Sequence, residues 1–368
     1  MKKNYLLYSF FIVLVLLSIL DILKSDNAFS DLENRNLKQR VKFTVSGFFD
    51  NSFQQDYESY INDQFIFRNR WIDIKSRSEY YLGKIENNGI IYGDEEYLFE
   101  KYSSFDNTRF LNNIEAINIF KDKVSSISRV SIMIAPNSYE IYKEFLPEAA
   151  PLVPQEENIQ YIYENIKDTN NIELLEIMKE NKDKYIYYRT DHHWTAYGAY
   201  LAYKEFIESI GEEPVDLYDV DFTKVDDFYG TYFSKAKPFN VEPDTFSYLD
   251  LSGITMNISG EEYNSIYDYS QLDLRDKYAL FLRGNNDLTV IKNNNLKNGK
   301  KILVIKDSYA NSLVPYLTQN FEEIHVIDLR TFKEKVDQYI SNNGIEDVLI
   351  LYNFISFTRD VNIIRLKY

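Results

Sequence analysis

The chain has 368 residues, with 41 basic against 57 acidic side chains and a formal net charge of −16. That balance argues against a nucleic-acid partner, whose phosphates need neutralising cations, while a hydrophobic content of 45% supplies the core of one large domain with at most a small satellite. Cysteine is absent, which removes thiol catalysis, disulfides and thiolate metal sites.

Two lysines, Lys2 and Lys3, precede an uncharged run over residues 5–20, which Asp21, Ile22, Leu23 and Lys24 follow. Basic residues ahead of an apolar segment fit a signal peptide or a signal anchor. Residues 27–30 make a poor small-x-small cleavage site, so residues 1–24 are expected to be an uncleaved single-pass anchor with the remainder outside the cytoplasm. The alternatives are a cleaved signal peptide and a buried core helix. Residues 25–55 are polar and irregular and read as a stalk. Residues 56–368 are expected to form one globular domain.

Within it, Tyr57, Tyr60, Ile61, Phe65, Trp71, Ile74 and Tyr81 recur at helical spacing. Two short strands are expected over residues 88–93 and 97–99, then a helix over 107–125 and a strand over 130–135 that ends at Pro136-Asn137. Residues 154–182 read as helical and charged, and 186–188 as a strand delivering Asp191. Thr195 is a good N-cap for a helix over 196–210. Residues 216–295, rich in Asp, Asn, Tyr, Ser and Gly, read as an insertion of hairpins and loops near the site. Strand and helix then alternate over 301–305, 310–317, 323–329, 332–342 and 348–352. This alternation predicts an α/β fold with a mostly parallel sheet flanked by helices.

The chemistry gathers at the predicted strand ends, where open α/β sheets place their sites. Asp191 stands beside His192 and His193, two of the three histidines. A carboxylate that fixes an imidazole tautomer makes a general base near neutral pH. Ser308 lies where an apolar strand stops at Asp307 and a helix begins, so an activated Oγ and an oxyanion site can coincide there. Ser308, His193 and Asp191 therefore read as a split hydrolase-type triad. Asn353 and Asn137 follow two other predicted strands. Asn353 either donates to the oxyanion or caps its strand, and Tyr309 is a further candidate for lining the site.

The segment Asp191-His192-His193-Trp194-Thr195, with Gly198-Ala199-Tyr200 after it, resembles the signature of the DHHW family. That family is similar to alginate O-acetyltransferases of the AlgJ and AlgX type, which carry an SGNH hydrolase-like domain. Residues 63–68 resemble its Asp-x-Phe-x-x-Arg element, and Gly89 to Gly93 with Tyr97-Leu98-Phe99 its Gly-x-x-Gly and Trp-Leu-Phe element. Asp307-Ser308-Tyr309 matches Asp-Ser-Phe or Tyr, with Lys306 in place of the usual glycine. The resemblance spans roughly residues 55–360 and implies a circularly permuted SGNH-like domain. It implies Ser308 as nucleophile, His193 as base and Asp191 as its orienting carboxylate. It also implies an acetyl-serine intermediate, an exported or cell-surface polysaccharide as acceptor, and a membrane-bound O-acyltransferase as partner supplying acetyl groups.

Other readings compete. His193 could merely cap the following helix. Neighbours on an extended segment point to opposite sides, so only one of His192 and His193 faces Ser308, and a shifted register would make His192 the base. Adjacent histidines do not readily share one metal ion, so neither a metal nor a cofactor is expected. His325 reads as a core or edge residue. The 57 tyrosine and phenylalanine side chains suit sugar stacking or simply core filling. A secreted carbohydrate acetylesterase would share every site residue, and a non-catalytic polysaccharide-binding subunit would not need Ser308.

Overall fold

The computed structural model describes residues 4–216 and 221–368. The chain divides into two compact units, one formed by residues up to 87 with 234–241, the other by 88–233 with 242–368.

The first unit begins with helix α1 (Asn4–Leu23), an unbroken apolar helix that buries none of its residues. Twenty residues at about 1.5 Å each give about 30 Å, the thickness of a bilayer core. Three helices follow, α2 (Val45–Phe49), α3 (Ser52–Gln64) and α4 (Arg68–Tyr81). Residues 25–55 bond to this helical frame. Asp63, near the end of α3, accepts from Arg35 Nη2 at 2.5 Å and from the Lys38 amide at 2.8 Å. Glu33 pairs with Arg68 at 2.6 Å and with Lys237 at 2.5 Å.

The second unit is mixed α/β around a large, mostly parallel sheet. Its strands are β1 (Arg129–Ala135), β2 (Asn170–Ile172), β3 (Ile254–Ile258), β4 (Glu261–Tyr263), β5 (Leu288–Asn293), β6 (Lys301–Lys306), β7 (Glu323–Ile327) and β8 (Asp347–Asn353). Their order is β4-β3-β5-β7-β6-β8-β1-β2. Neighbours from β7 to β2 are parallel, with Val304 opposite both Val326 and Leu349. Strands β5, β3 and β4 extend that edge in antiparallel fashion. Ile302 to Ile305 are wholly buried, as expected of a strand covered on both faces.

The covering helices are α5 (Asn107–Val124), α6 (Gln155–Asn165), α7 (Ala196–Ser209), α8 (Ala310–Leu317), α9 (Val336–Asn343) and α10 (Phe354–Arg359). Helix α5 packs with α9 and α10, and α7 with α8. The second contact sets the helix that follows the histidines beside the helix that follows Ser308.

Three local departures from the sequence expectation have physical causes. Residues 154–182 are not one helical region, because α6 ends at Asn165 and Asn170–Ile172 pairs with β1. Asn-Asn-Ile carries no β-branched run that would have announced a strand. Residues 186–188 form no ladder strand; Tyr187 makes one bridge, to Trp194, so the chain doubles back around Asp191 to His193. Finally, β3, β4 and β5, all from the hairpin-rich stretch, join the central sheet. Residues 217–220 of that stretch lie outside the described residues.

Candidate active site

Strand β6 ends at Lys306, and the turn after it is braced through Asp307. Its Oδ1 accepts from the Tyr309 amide at 2.8 Å. Its Oδ2 accepts from the Asn353 amide and from Asn353 Nδ2 at 2.7 and 2.6 Å, at the end of β8. Burial pushes the Asp307 carboxyl up to about 6, against these donors. The neighbouring Lys306 ammonium is pushed down to about 8, again by burial, and bonds Asn285 Oδ1 at 2.5 Å. Ser308 follows at the mouth of α8, held through its carbonyl by the Asn311 amide at 3.2 Å and the Tyr278 hydroxyl at 3.0 Å.

The histidine segment meets this turn. Trp194, wholly buried, donates its indole N–H to Tyr309 O at 3.0 Å and to Ser312 Oγ at 2.9 Å. In return the Tyr309 hydroxyl donates to the His192 carbonyl. Thr195 caps α7 by accepting from the Gly198 amide at 3.2 Å. The two loops are thereby cross-braced, and His193 Nε2 comes to 2.7 Å from Ser308 Oγ. Its Nδ1 lies 2.6 Å from Asp191 Oδ1. A carboxylate only accepts, so Nδ1 carries the proton and Nε2 is left to accept from the serine hydroxyl.

Asp191 is filled by its own surroundings. Oδ1 also accepts from the His193 amide at 3.0 Å, and Oδ2 from the Thr231 amide and hydroxyl at 2.7 and 3.0 Å. Burial would raise this carboxyl, yet His192 and His193 outweigh it and hold the group well below the usual carboxylate range. Gly230 permits the approach, since a Cβ built there would stand 2.2 Å from Asp191 Cβ.

Two rings pack against His193. Tyr278 stacks on its ring at 3.6 Å between centroids and 6° between planes, and the His192 ring lies at 3.7 Å. Burial pushes the His193 imidazole down to about 4, with His192 and Lys306 adding to the effect and Asp191 opposing it. A general base works as the neutral imidazole, so a reaction that uses His193 in that role should show kcat/KM rising with pH through about 4 and level across the ordinary histidine value of about 6.5. An acid limb at 6.5 or above, in a pH profile of ester hydrolysis, would contradict this. Folding is linked with the same sign. The folded chain binds fewer protons at this site than the unfolded chain, so stability falls as pH drops from about 6.5 toward 4.

The other residues singled out in the sequence lie nearby with their polar atoms engaged. His192 Nδ1 sits 2.7 Å from Thr231 Oγ1, whose single hydrogen goes to Asp191, so His192 is the donor. Asn353 Nδ2 bonds Asp307 and Ser356 Oγ, and its Oδ1 accepts from Asn137 Nδ2. Asn137 Nδ2 also reaches the Tyr309 hydroxyl at 3.2 Å. These three side chains brace the floor beneath Ser308. His325 is remote, buried on β7 between Tyr339 and Glu323. Thr231, Gly230 and Tyr278 escaped the sequence reading as site residues, because they arrive from a stretch with no catalytic motif. Asp191, His192 and His193 bring one ligand atom each to within 4.8 Å of one another. A cation there would have to displace the Thr231 and His193 donors from Asp191.

A family model described as DHHW protein matches residues 82–327. This chain belongs to the DHHW family. A crystal structure of a DHHW family protein from Eubacterium siraeum is 28% identical, with a TM-score of 0.68, over 77% of this chain and 96% of that one. Bacillus cereus PatB1, solved with a sulfonyl adduct, is 22% identical with a TM-score of 0.65, over 76% of this chain and 98% of its own. The O-acetyltransferase domain of Pseudomonas putida AlgJ is 14% identical with a TM-score of 0.50, over 76% and 98%. The latter two share the fold. No curated protein matches the chain.

Proposed function

We propose that this protein is an extracytoplasmic O-acetyltransferase that acylates a cell-surface or exported polysaccharide through an acetyl-serine intermediate. The observation that carries this reading is the continuous relay from Asp191 Oδ1 through His193 to Ser308 Oγ, at 2.6 and 2.7 Å. His193 Nε2 takes the hydroxyl proton as Ser308 Oγ attacks the carbonyl carbon of an acetyl donor. The backbone N–H of Ser308 stabilises the tetrahedral oxyanion. The imidazolium then returns its proton to the leaving oxygen, and acetyl-Ser308 remains. A sugar hydroxyl, deprotonated by the same His193, attacks the acetyl carbonyl; the acyl–oxygen bond to Ser308 breaks and the imidazolium returns its proton to Ser308 Oγ. Asn353 acts in this reading as a brace of Asp307, since its amide hydrogens are spent there and on Ser356.

The AlgJ fold likeness supports transfer chemistry on this type of domain, and the Asp–His–Ser chain order supports a circularly permuted SGNH architecture. The apolar α1 supports anchoring in the membrane. A membrane-bound O-acyltransferase would supply acetyl groups from across the bilayer. PatB1 carries a sulfonyl adduct in one of its structures, and phenylmethanesulfonyl fluoride is therefore expected to modify Ser308 here.

The test is mass spectrometry of the protein after brief exposure to p-nitrophenyl acetate. One added acetyl group on the peptide containing Ser308, removed faster by oligosaccharide than by water, supports the transferase. Acetyl-Ser308 that only water discharges makes the protein an esterase. Absence of acetyl-Ser308 at all times sinks both.

A further inference from the structure

We infer that the exposed face of α4 is a phospholipid-docking surface that lies in the headgroup region of the membrane spanned by α1. The inference rests on α1 being a retained anchor, and the first unit itself links the two elements. Asp21, in the last turn of α1, accepts from the Ile66 amide at 2.9 Å, just before α4 begins. Lys24 Nζ donates to the Gln64 carbonyl at 2.8 Å. Gln64 in turn bonds the amide and the carbonyl of Asn27 at 2.9 and 2.8 Å. The corner between α3 and α4 is thus pinned directly to the end of the apolar helix. Where α1 leaves the hydrocarbon, this corner sits at the level of the headgroups.

The residues carried by that corner suit that depth. Phe67, Trp71 and Ile74 recur at helical spacing and are 50%, 47% and 52% exposed. Tyr81 continues the stripe one heptad later and is likewise exposed. An apolar stripe of this length left open in water is unfavourable, whereas aromatic side chains are enriched at membrane–water boundaries. Charge points the same way. Arg68, Arg70, Lys75 and Arg77 lie on α4 against two acidic residues of the helix, Asp73 and Glu79, so the helix carries a net charge of +2. Residues 24–87 hold ten basic and ten acidic side chains, so the chain's acidic excess lies entirely beyond them. A membrane-facing helix with apolar and basic residues is the interfacial pattern, its cations meeting lipid phosphates. A cavity of about 350 Å³ opens at the same corner, lined among others by Lys24, Phe65, Phe67, Arg68 and Arg70.

The chain contains two tryptophans, and Trp194 is wholly buried in the second unit. Fluorescence of full-length protein in vesicles of brominated phosphatidylcholine therefore reads the depth of Trp71, with Trp71→Phe as the blank. Bromolipid is expected to reduce the Trp71 emission about twofold relative to unbrominated vesicles, with aqueous iodide having little effect. Full quenching by iodide and none by bromolipid, in protein that floats with the vesicles, would overturn the docking surface and leave the anchor standing. Failure to float with the vesicles would remove the anchor and the docking surface together. Neither outcome bears on acetyl-Ser308 formation, so the catalytic reading is tested separately.

Discussion

Ser308→Ala and His193→Ala should each lower kcat for acetyl ester turnover by about 10³- to 10⁶-fold, and the double variant should be little worse than either alone. In the proposed mechanism the two side chains act as one unit. Without the His193 acceptor at 2.7 Å, Ser308 Oγ keeps its proton and is a poor nucleophile, and without Ser308 no acyl-enzyme forms. His192→Ala should lose less than about tenfold, because its Nδ1 is turned to Thr231 at 2.7 Å and stands 3.5 Å from Asp191 Oδ1, farther than the 2.6 Å contact of His193. The measurement is p-nitrophenyl acetate hydrolysis by purified full-length variants, paired with thermal unfolding to show that each is folded. A His192→Ala loss as large as that of His193→Ala would exchange the roles of the two histidines. Unchanged rates in all variants would remove serine catalysis altogether.

Much of this site was legible because its chemistry is compressed into two short segments. Asp191-His192-His193-Trp194 and Asp307-Ser308 carry the relay, and the apolar run ending at Lys306 announced the strand that presents Ser308. Burial on both faces makes such a strand nearly all apolar, which is why β6 and β8 could be read directly. The antiparallel edge could not. Strands β3, β4 and β5 alternate weakly and take their order from long-range pairing, which no local pattern encodes. The same holds for the groups around the relay. Thr231 is forty residues from Asp191 and Tyr278 thirty from Ser308, and a lone threonine or tyrosine in a loop-like stretch looks like any other. The bracing roles of Asn137 and Asn353 were equally hidden, since a strand-end asparagine serves an oxyanion or a neighbouring carboxylate with the same side chain.

Asp191→Asn should cost about 10⁴-fold in kcat while leaving the fold intact. The carboxylate accepts from His193 Nδ1 at 2.6 Å and so leaves Nε2 free to take the serine proton. An amide can place its NH₂ group there instead, which reverses the tautomer and puts the proton on the nitrogen facing Ser308. Gly230→Ala reaches the same carboxylate by another route. Its Cβ would stand 2.2 Å from Asp191 Cβ and 2.3 Å from Oδ2, contacts that no rotamer of Asp191 relieves because its own Cβ is one of the clashing atoms. The backbone of residues 230 and 231 has to retreat, and the Thr231 amide and hydroxyl leave Oδ2 with it. The expected loss is about 10²-fold in kcat, as for a misplaced catalytic group of about 1 Å. Thr231→Ala, which removes the hydroxyl and keeps the amide, should cost less, about tenfold. Steady-state kinetics on the three variants, with unfolding temperatures alongside, tests the ranking. Wild-type kcat in Gly230→Ala would mean that the placement of Asp191 is not what limits the relay, and equal losses in Thr231→Ala and Asp191→Asn would move the decisive contact from the imidazole to the threonine.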